Sequence, residues 1–390
     1  MKKIFTLLLA FFAINSLSAQ MTVSGILDTS ISANAGAGDA PKFSFGFEEY
    51  ANLRLQARLR EVGAIYAAIN LIAASGDYAQ TLKQAGVNSI SDNFIAAIEL
   101  ERLYFKLRGE HVDFDGGLMR LPFGYGSVWS SSDFLNPRNP LKPDARLRGI
   151  LGAALTWYPV DELKLQWFYA APRDVFSREG KGSLAGLSLD KHWEKASIQS
   201  LYSYEIPNSG SKFGIHRIGF SVKADVEVGL VMDALYTLNY EAMKGLNFFP
   251  KKKNDISIID GLSFSFGADY SFLGGDLIIL AEYLFNGKTS ATALGFGGSF
   301  SNHHYLYTGL TYRFTDFTNM SAALISCFDD ISFTPVISVN HDLFQGVTLT
   351  FTAQVPLDRD LFHSDGRRGE LGPFSLYSYF NFTARLRLRF

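Results

Sequence analysis

The sequence predicts an all-β chain: a closed antiparallel transmembrane β-barrel of 18 strands, with short turns at one end and long loops at the other. Three observations carry that prediction. Period-2 runs recur along the chain, short and long connections alternate between them, and the final run sorts its residues by parity. In Tyr379 to Phe390, Phe380, Phe382, Ala384, Leu386, Leu388 and Phe390 fall on one parity, and Asn381, Thr383, Arg385, Arg387 and Arg389 on the other. Successive side chains of a strand point to opposite faces, so one face is apolar and the other basic. A soluble sandwich could use this pattern. So could a strand with hydrocarbon outside and water inside, and the loop rhythm favours the second.

Before the first run, Met1 to Gln20 reads as a secretory signal. Lys2 and Lys3 are followed by the apolar stretch Ile4 to Ile14 and the small-residue exit Ser16 to Ala19. The stretch is too short to span as a helix, and nothing later offers 18 consecutive apolar residues. Cleavage after Ala19 would leave 20–390 as one barrel domain. The net charge of -2 becomes about -4 once the two lysines leave, which argues against general nucleic-acid binding. Cys327 is the single cysteine, so neither an internal disulfide nor a cysteine metal cluster can form. Apolar and charged fractions are ordinary; aromatics, at 14% and spread through the alternating runs, are the more telling feature.

In chain order the runs lie near 21–33, 43–60, 62–74, 94–108, 110–121, 148–158, 161–171, 183–190, 195–204, 215–224, 226–239, 261–272, 275–286, 303–315, 317–327, 332–341, 346–355 and 379–390. A split or merged hairpin would make the count 16 or 20. The second run sets Leu53, Leu55, Ala57 and Leu59 against Arg54, Gln56, Arg58 and Arg60. Another sets Phe264, Phe266, Ala268 and Tyr270 against Ser265, Gly267, Asp269 and Ser271. Alternation falters at Glu99 to Arg102, at Leu118 to Arg120 and at Ile278 to Glu282, where a bulge or a partly apolar lumen is expected. A tight turn is expected at Ala224-Asp225. Connections at Glu61, Gly109, 159–162, 191–194, Asp225, 273–274, Asp316 and 341–345 are short. Those between them are nearly all long, except 328–331. A soluble chain has no physical reason to keep its long loops at one end. The 77–86 stretch suits a short helix, and no segment is large enough for an N-terminal plug.

Two sets of residues suggest a function. The insert 120–149 carries Pro122, Pro137, Pro140 and Pro143, which restrict backbone freedom and make it a shaped loop. It offers Arg120, Asp133, Arg138, Lys142, Arg146 and Arg148 as constriction charges, with Phe123, Tyr125, Trp129 and Phe134 to pack it on the inner wall. An ordered rim loop is the other reading. The second set is a basic wall of Arg54, Arg58, Lys106, Arg108, Arg385, Arg387 and Arg389, gathered where the last strand closes on the first. Facing water, these groups would concentrate anions; paired with Glu99, Glu101 or Glu110 they would stiffen the barrel. Asp269, Glu227 and Glu282 are candidates for an opposing acidic wall. Together they imply a passive channel for small hydrophilic solutes with an anion preference. A transporter of hydrophobic compounds, suggested by Ile278, Leu280 and Leu284, and a closed structural or adhesive barrel are the alternatives.

Enzyme chemistry has little support. His303-His304 would need distant partners to hold a metal, and a strand would point them to opposite faces. Ser338 and His341 form a catalytic pair only within hydrogen-bond reach. Lys251 to Lys253 suit a solvated rim, and no cofactor is implied.

An aromatic last residue, Phe390, resembles the C-terminal signal read by the barrel assembly machinery of the outer membrane. The whole chain resembles general and substrate-selective porins, through its export signal, strand rhythm, third-loop insert and terminal Phe390. Pro122 to Gly124, then Trp129 and Asp133 to Pro137, looks like the glycine- and proline-rich signature after an early strand in several specialised porins. The resemblance implies a bacterial outer-membrane location with lipids or lipopolysaccharide as surroundings. A monomer and a homo-trimer both fit it.

Overall fold

A computed structural model of the protein describes residues 20–36, 43–59, 62–84, 91, 93–136, 138, 140, 149–172, 182–207, 213–239, 258–287, 300–359, 369–373 and 379–390. The proposed signal segment 1–19 lies outside them. Through the described residues run β1 (Gln20–Ala35), β2 (Phe43–Leu59), β3 (Gly63–Gly76), α1 (Asp77–Gln84), β4 (Phe94–Arg108), β5 (Val112–Met119), β6 (Ile150–Val160) and β7 (Leu163–Ala170). They continue as β8 (Leu184–His192), β9 (Ala196–Glu205), β10 (Ile215–Asp225), β11 (Gly229–Asn239), β12 (Leu262–Phe272) and β13 (Leu277–Asn286). The last five are β14 (His304–Thr315), β15 (Thr318–Cys327), β16 (Ser332–Phe344), β17 (Val347–Gln354) and β18 (Phe380–Arg389). Each strand pairs antiparallel with its sequence neighbour, and β18 pairs with β1. The sheet is a closed 18-stranded barrel with no free edge.

Burial is inverted relative to a soluble protein. On β1, Asp28, Ser30 and Ser32 are buried while Val23, Leu27 and Ile31 are exposed. On β10, Arg217 and Ser221 are buried while Ile218 and Phe220 are exposed. On β18, Phe380, Phe382, Leu386 and Leu388 all lie on the exposed outer face. The strand period of two therefore divides an apolar skin from a polar interior, as the final run predicts. Such a skin is stable only against hydrocarbon, where closure also satisfies every ladder hydrogen bond.

Closure is registered by specific pairs. Asp28 lies opposite Arg387 and Ser30 opposite Arg385. Beyond the ladder, the Phe390 N–H donates to the Gly25 carbonyl and the Gly25 N–H to the Phe390 carbonyl. The Phe390 ring lies so close over Gly25 that a Cβ there would sit 2.5 Å from it. A side chain at position 25 would have to displace that ring.

Three local features bear on the sequence reading. The expected irregularity near Glu99 is a register shift between β3 and β4, which turns both Glu101 and Arg102 inward. The turn placed at Ala224-Asp225 falls instead at Val226–Val228, because the β10–β11 ladder continues through Asp225 and Gly229. The helix expected within 77–86 is α1, and Asp77 at its start accepts hydrogen bonds from Asn34 and Ser44.

Candidate functional site

After β5 the chain turns into the barrel and crosses its inner wall. Residues 124–129 present consecutive backbone N–H groups to side chains on β9, β11 and β13. Gly124 donates to Gln199 Oε1 at 2.7 Å. Tyr125 and Gly126 donate to the Asp233 carboxylate at 2.9 and 2.8 Å. Ser127, Val128 and Trp129 donate to the Glu282 carboxylate at 3.0, 2.9 and 2.8 Å. The Ser130 hydroxyl adds a third donor to Asp233 at 2.9 Å. On β12, Ser265 Oγ donates to the Trp129 carbonyl at 3.0 Å. Both carboxylates are fully buried, and among the described residues no lysine or arginine forms an ion pair with either. Main-chain donors supply their compensation, an arrangement of successive amides that favours anionic acceptors.

The sequence permits this path because of its glycines. Gly124 has a φ of +80°, and a Cβ there would meet Ser130 Oγ and Asp233 Oδ2. At Gly126 a Cβ would lie 1.9 Å from the Trp129 carbonyl oxygen. The apolar residues between them then seat the loop. Phe123 stacks on Phe134 and tilts against Phe168, and the Arg217 guanidinium lies 5.0 Å from the Phe134 ring centroid. Trp129, fully buried, meets Phe300 and Tyr307 edge-on and packs with Leu284 and Ile325. Leu280 joins the same cluster. Of the apolar residues that suggested a pocket for greasy substrates, Leu284 is buried and Leu280 half-buried in this cluster, whereas Ile278 is exposed.

The charges of the insert are dispersed. Arg120 leaves β5 and pairs with Glu101 at 2.9 Å. Asp133 is buried and accepts the Asn136 N–H at 3.0 Å. Burial, only partly offset by that hydrogen bond, pushes its pKa up to about 7. Arg138 is exposed and donates to the Ser127 carbonyl at 3.3 Å. Lys142, Arg146 and Arg148 lie outside the described residues.

The second set lies on the sector formed by β18 and β1–β4. The fully buried Asn52 joins two groups: its amide donates to Glu101 at 2.7 Å, and its carbonyl accepts Arg54 Nε at 2.5 Å. Glu101 also faces Arg102 at 3.0 Å and Arg120 at 2.9 Å. Two guanidiniums therefore contact one carboxylate, and Arg54 is linked to it through Asn52. A recess of about 180 Å³ beside them is lined by Thr22, Ser24, Arg54, Gln56, Tyr66 and Arg102. The Tyr66 and Tyr104 rings stack at 5.1 Å, and Lys106 Nζ lies 5.5 and 5.6 Å from their centroids. Arg387 is held bidentate by Asp28 at 2.7 Å, and Arg108 pairs with Asp113 and Asp115. Arg385 shares the inward parity of β18 and is half-buried, whereas Arg58 and Arg389 are exposed. Some of the basic wall thus stiffens the barrel, while Arg54, Arg58 and Arg389 keep exposed side chains.

Other expectations resolve differently. The acidic wall does not assemble: Glu282 is capped by the loop, and Glu227 is exposed in the β10–β11 turn. His303 precedes β14, so alternation does not separate it from His304, and both rings lie beside Phe285. Ser338 bonds Thr352 and His341 bonds Thr318, so the two are not a catalytic pair. Sequence reasoning missed Asp233, whose donors are backbone groups common to every residue. It also missed Arg102, whose parity is reset by the bulge; the broken alternation at Glu99 to Arg102 was its only signal.

No protein-family model matches the chain, and no curated protein matches it. Solved structures do. A BenF-like porin from Pseudomonas fluorescens Pf-5 superimposes with a TM-score of 0.58 at 10% identity, covering 95% of this chain and 98% of that one. Acinetobacter baumannii OccAB4 gives 0.56 at 11% identity, covering 95% and 98%. The outer membrane protein opdK of Pseudomonas aeruginosa gives 0.56 at 8% identity, covering 95% and 99%. With its apolar skin, polar interior and full-length superposition on these proteins, the chain has the barrel fold of outer-membrane porins.

Proposed function

We propose that the protein is a passive outer-membrane channel for small hydrophilic solutes, with a preference for anions. The observation that carries this reading is the lumen wall of β1–β4, where Arg102 and Arg120 pair with Glu101 and Arg54 joins them through Asn52, beside an open recess. Guanidiniums keep their charge at any physiological pH, so the local excess is permanent. Inside a low-dielectric cylinder that excess raises the concentration of anions and lowers their entry barrier. The loop 120–136 supports a constriction: it lies across the inner wall, so its thickness subtracts from the water-filled section. Outer-membrane lipid or lipopolysaccharide against the skin, and assembly machinery reading Phe390, are the partners this role requires. A monomer and a homo-trimer are both compatible with it.

Swelling of liposomes carrying the purified barrel tests the reading. Small sugars and small carboxylates should enter, the carboxylates faster than cations of equal size, and long oligosaccharides should not. Liposomes that stay unswollen in every small solute would favour a closed structural barrel instead.

A further inference from the structure

We infer that Asp233 and Glu282 are the positioning residues that set the size limit of this channel, acting as a two-carboxylate clasp on the inserted loop. The inference rests on the channel reading proposed above, but its geometry stands apart from it. Six donors converge on the pair: the N–H groups of residues 125–129 and the Ser130 hydroxyl. Each carboxylate is fully buried and takes three of them. Because five of the six donors are main-chain groups of consecutive residues, the clasp fixes the loop's path rather than one side chain. The two anchor strands, β11 and β13, lie far around the wall from β5, where the loop departs. Held at both ends, the segment must cross the inside of the barrel.

The packing beneath the clasp supplies a native reporter. Cys327 is buried in the cluster that contains Val128 and Trp129. While the loop is seated, its thiol is shielded from the lumen. Withdrawal of the loop would remove two members of that cluster, Val128 and Trp129, and open it to the lumen.

Asp233→Asn and Glu282→Gln keep side-chain size but replace an acceptor oxygen with an NH2 that faces N–H donors. The test reads two quantities on barrels shown to be folded by heat-modifiable electrophoretic mobility. One is single-channel conductance with the size of the largest neutral sugar admitted; the other is labelling of Cys327 by a small maleimide. In the wild type, Cys327 should stay unlabelled. In the double variant, conductance should rise about twofold or more, larger sugars should enter, and Cys327 should label. Ser127→Pro, which deletes one loop donor and leaves the strands untouched, should move both readouts the same way even if the strand variants assemble poorly. A folded double variant with wild-type conductance, the same sugar limit and a shielded Cys327 would overturn the inference. Labelling that increases while neither wild type nor variants conduct would leave the clasp in place and overturn the channel reading, and with it the size limit.

Discussion

The two sides of the lumen are built from the same alternating strands, yet they handle inward polar groups in opposite ways. Along β9–β13, buried Asp233 and Glu282 are consumed by backbone amides, and the surrounding apolar residues close over Trp129 and Phe123. Along β1–β4 the inward cations Arg54, Arg58, Arg102, Lys106 and Arg108 are interleaved with the carboxylates Asp28, Glu48, Glu99 and Glu101, and a recess remains beside Arg54 and Arg102. One sector binds its own chain; the other presents charge to solvent. The difference teaches that an inward carboxylate in such a barrel is not by itself part of an acidic wall. What decides is whether a loop with free amides reaches it.

The sharpest way to break this contrast is to empty the filled side. Trp129→Ala removes a fully buried ring and should cost about 3–5 kcal/mol, read as a lower denaturant midpoint. Conductance should rise with it, while a substitution confined to the basic sector should leave the loop in place. Unchanged stability would mean that the cluster around Trp129 is not what seats the loop.

Acidity offers a subtler lever on the same side. The buried Asp133 carboxyl has a folded pKa of about 7, above its ordinary 3.8, so the folded state holds the proton more tightly. Stability from this group is therefore full at low pH and declines as pH rises from about 4 to about 7, then levels. The wild-type thermal midpoint should be higher at pH 5 than at pH 8, by an amount worth up to a few kcal/mol. Asp133→Asn should flatten the dependence; a variant that keeps the wild-type slope would assign it elsewhere.

On the open side, the ion pair at the seam is the main structural contribution. Asp28→Asn leaves the Arg387 fork facing a neutral amide, and about 1–3 kcal/mol should be lost without any change in loop position. The smallest effect on stability should come from Arg54→Glu with Arg58→Glu, since both side chains are exposed. Their readout is selectivity: anion preference should weaken or reverse while melting stays close to wild type.

How far the sequence discloses this arrangement depends on which atoms do the work. The barrel is legible because its signal lies in side chains: Phe380 to Phe390 alternate with Asn381 to Arg389, and β18 has that division in space. The bulge is legible because Glu99 to Arg102 breaks the alternation, though the break does not say that Arg102 turns inward. The clasp is not legible, because its donors are main-chain N–H groups and its acceptors alternate like any other polar strand residue. Glu282 stands out in the sequence, but the natural inference is an opposing charged wall. Gly124 and Gly126 are the visible trace of the clasp: a Cβ at either would collide with atoms the loop needs.

Reversal potential across a planar bilayer, measured with the purified barrel in a salt gradient, tests the central claim most directly. An aqueous lumen governed by the Arg54, Arg102 and Arg120 sector predicts discrete open channels whose potential favours the anion, more strongly at low salt where screening is weakest. Cation selectivity in folded barrels, or the absence of any open channel, would contradict it.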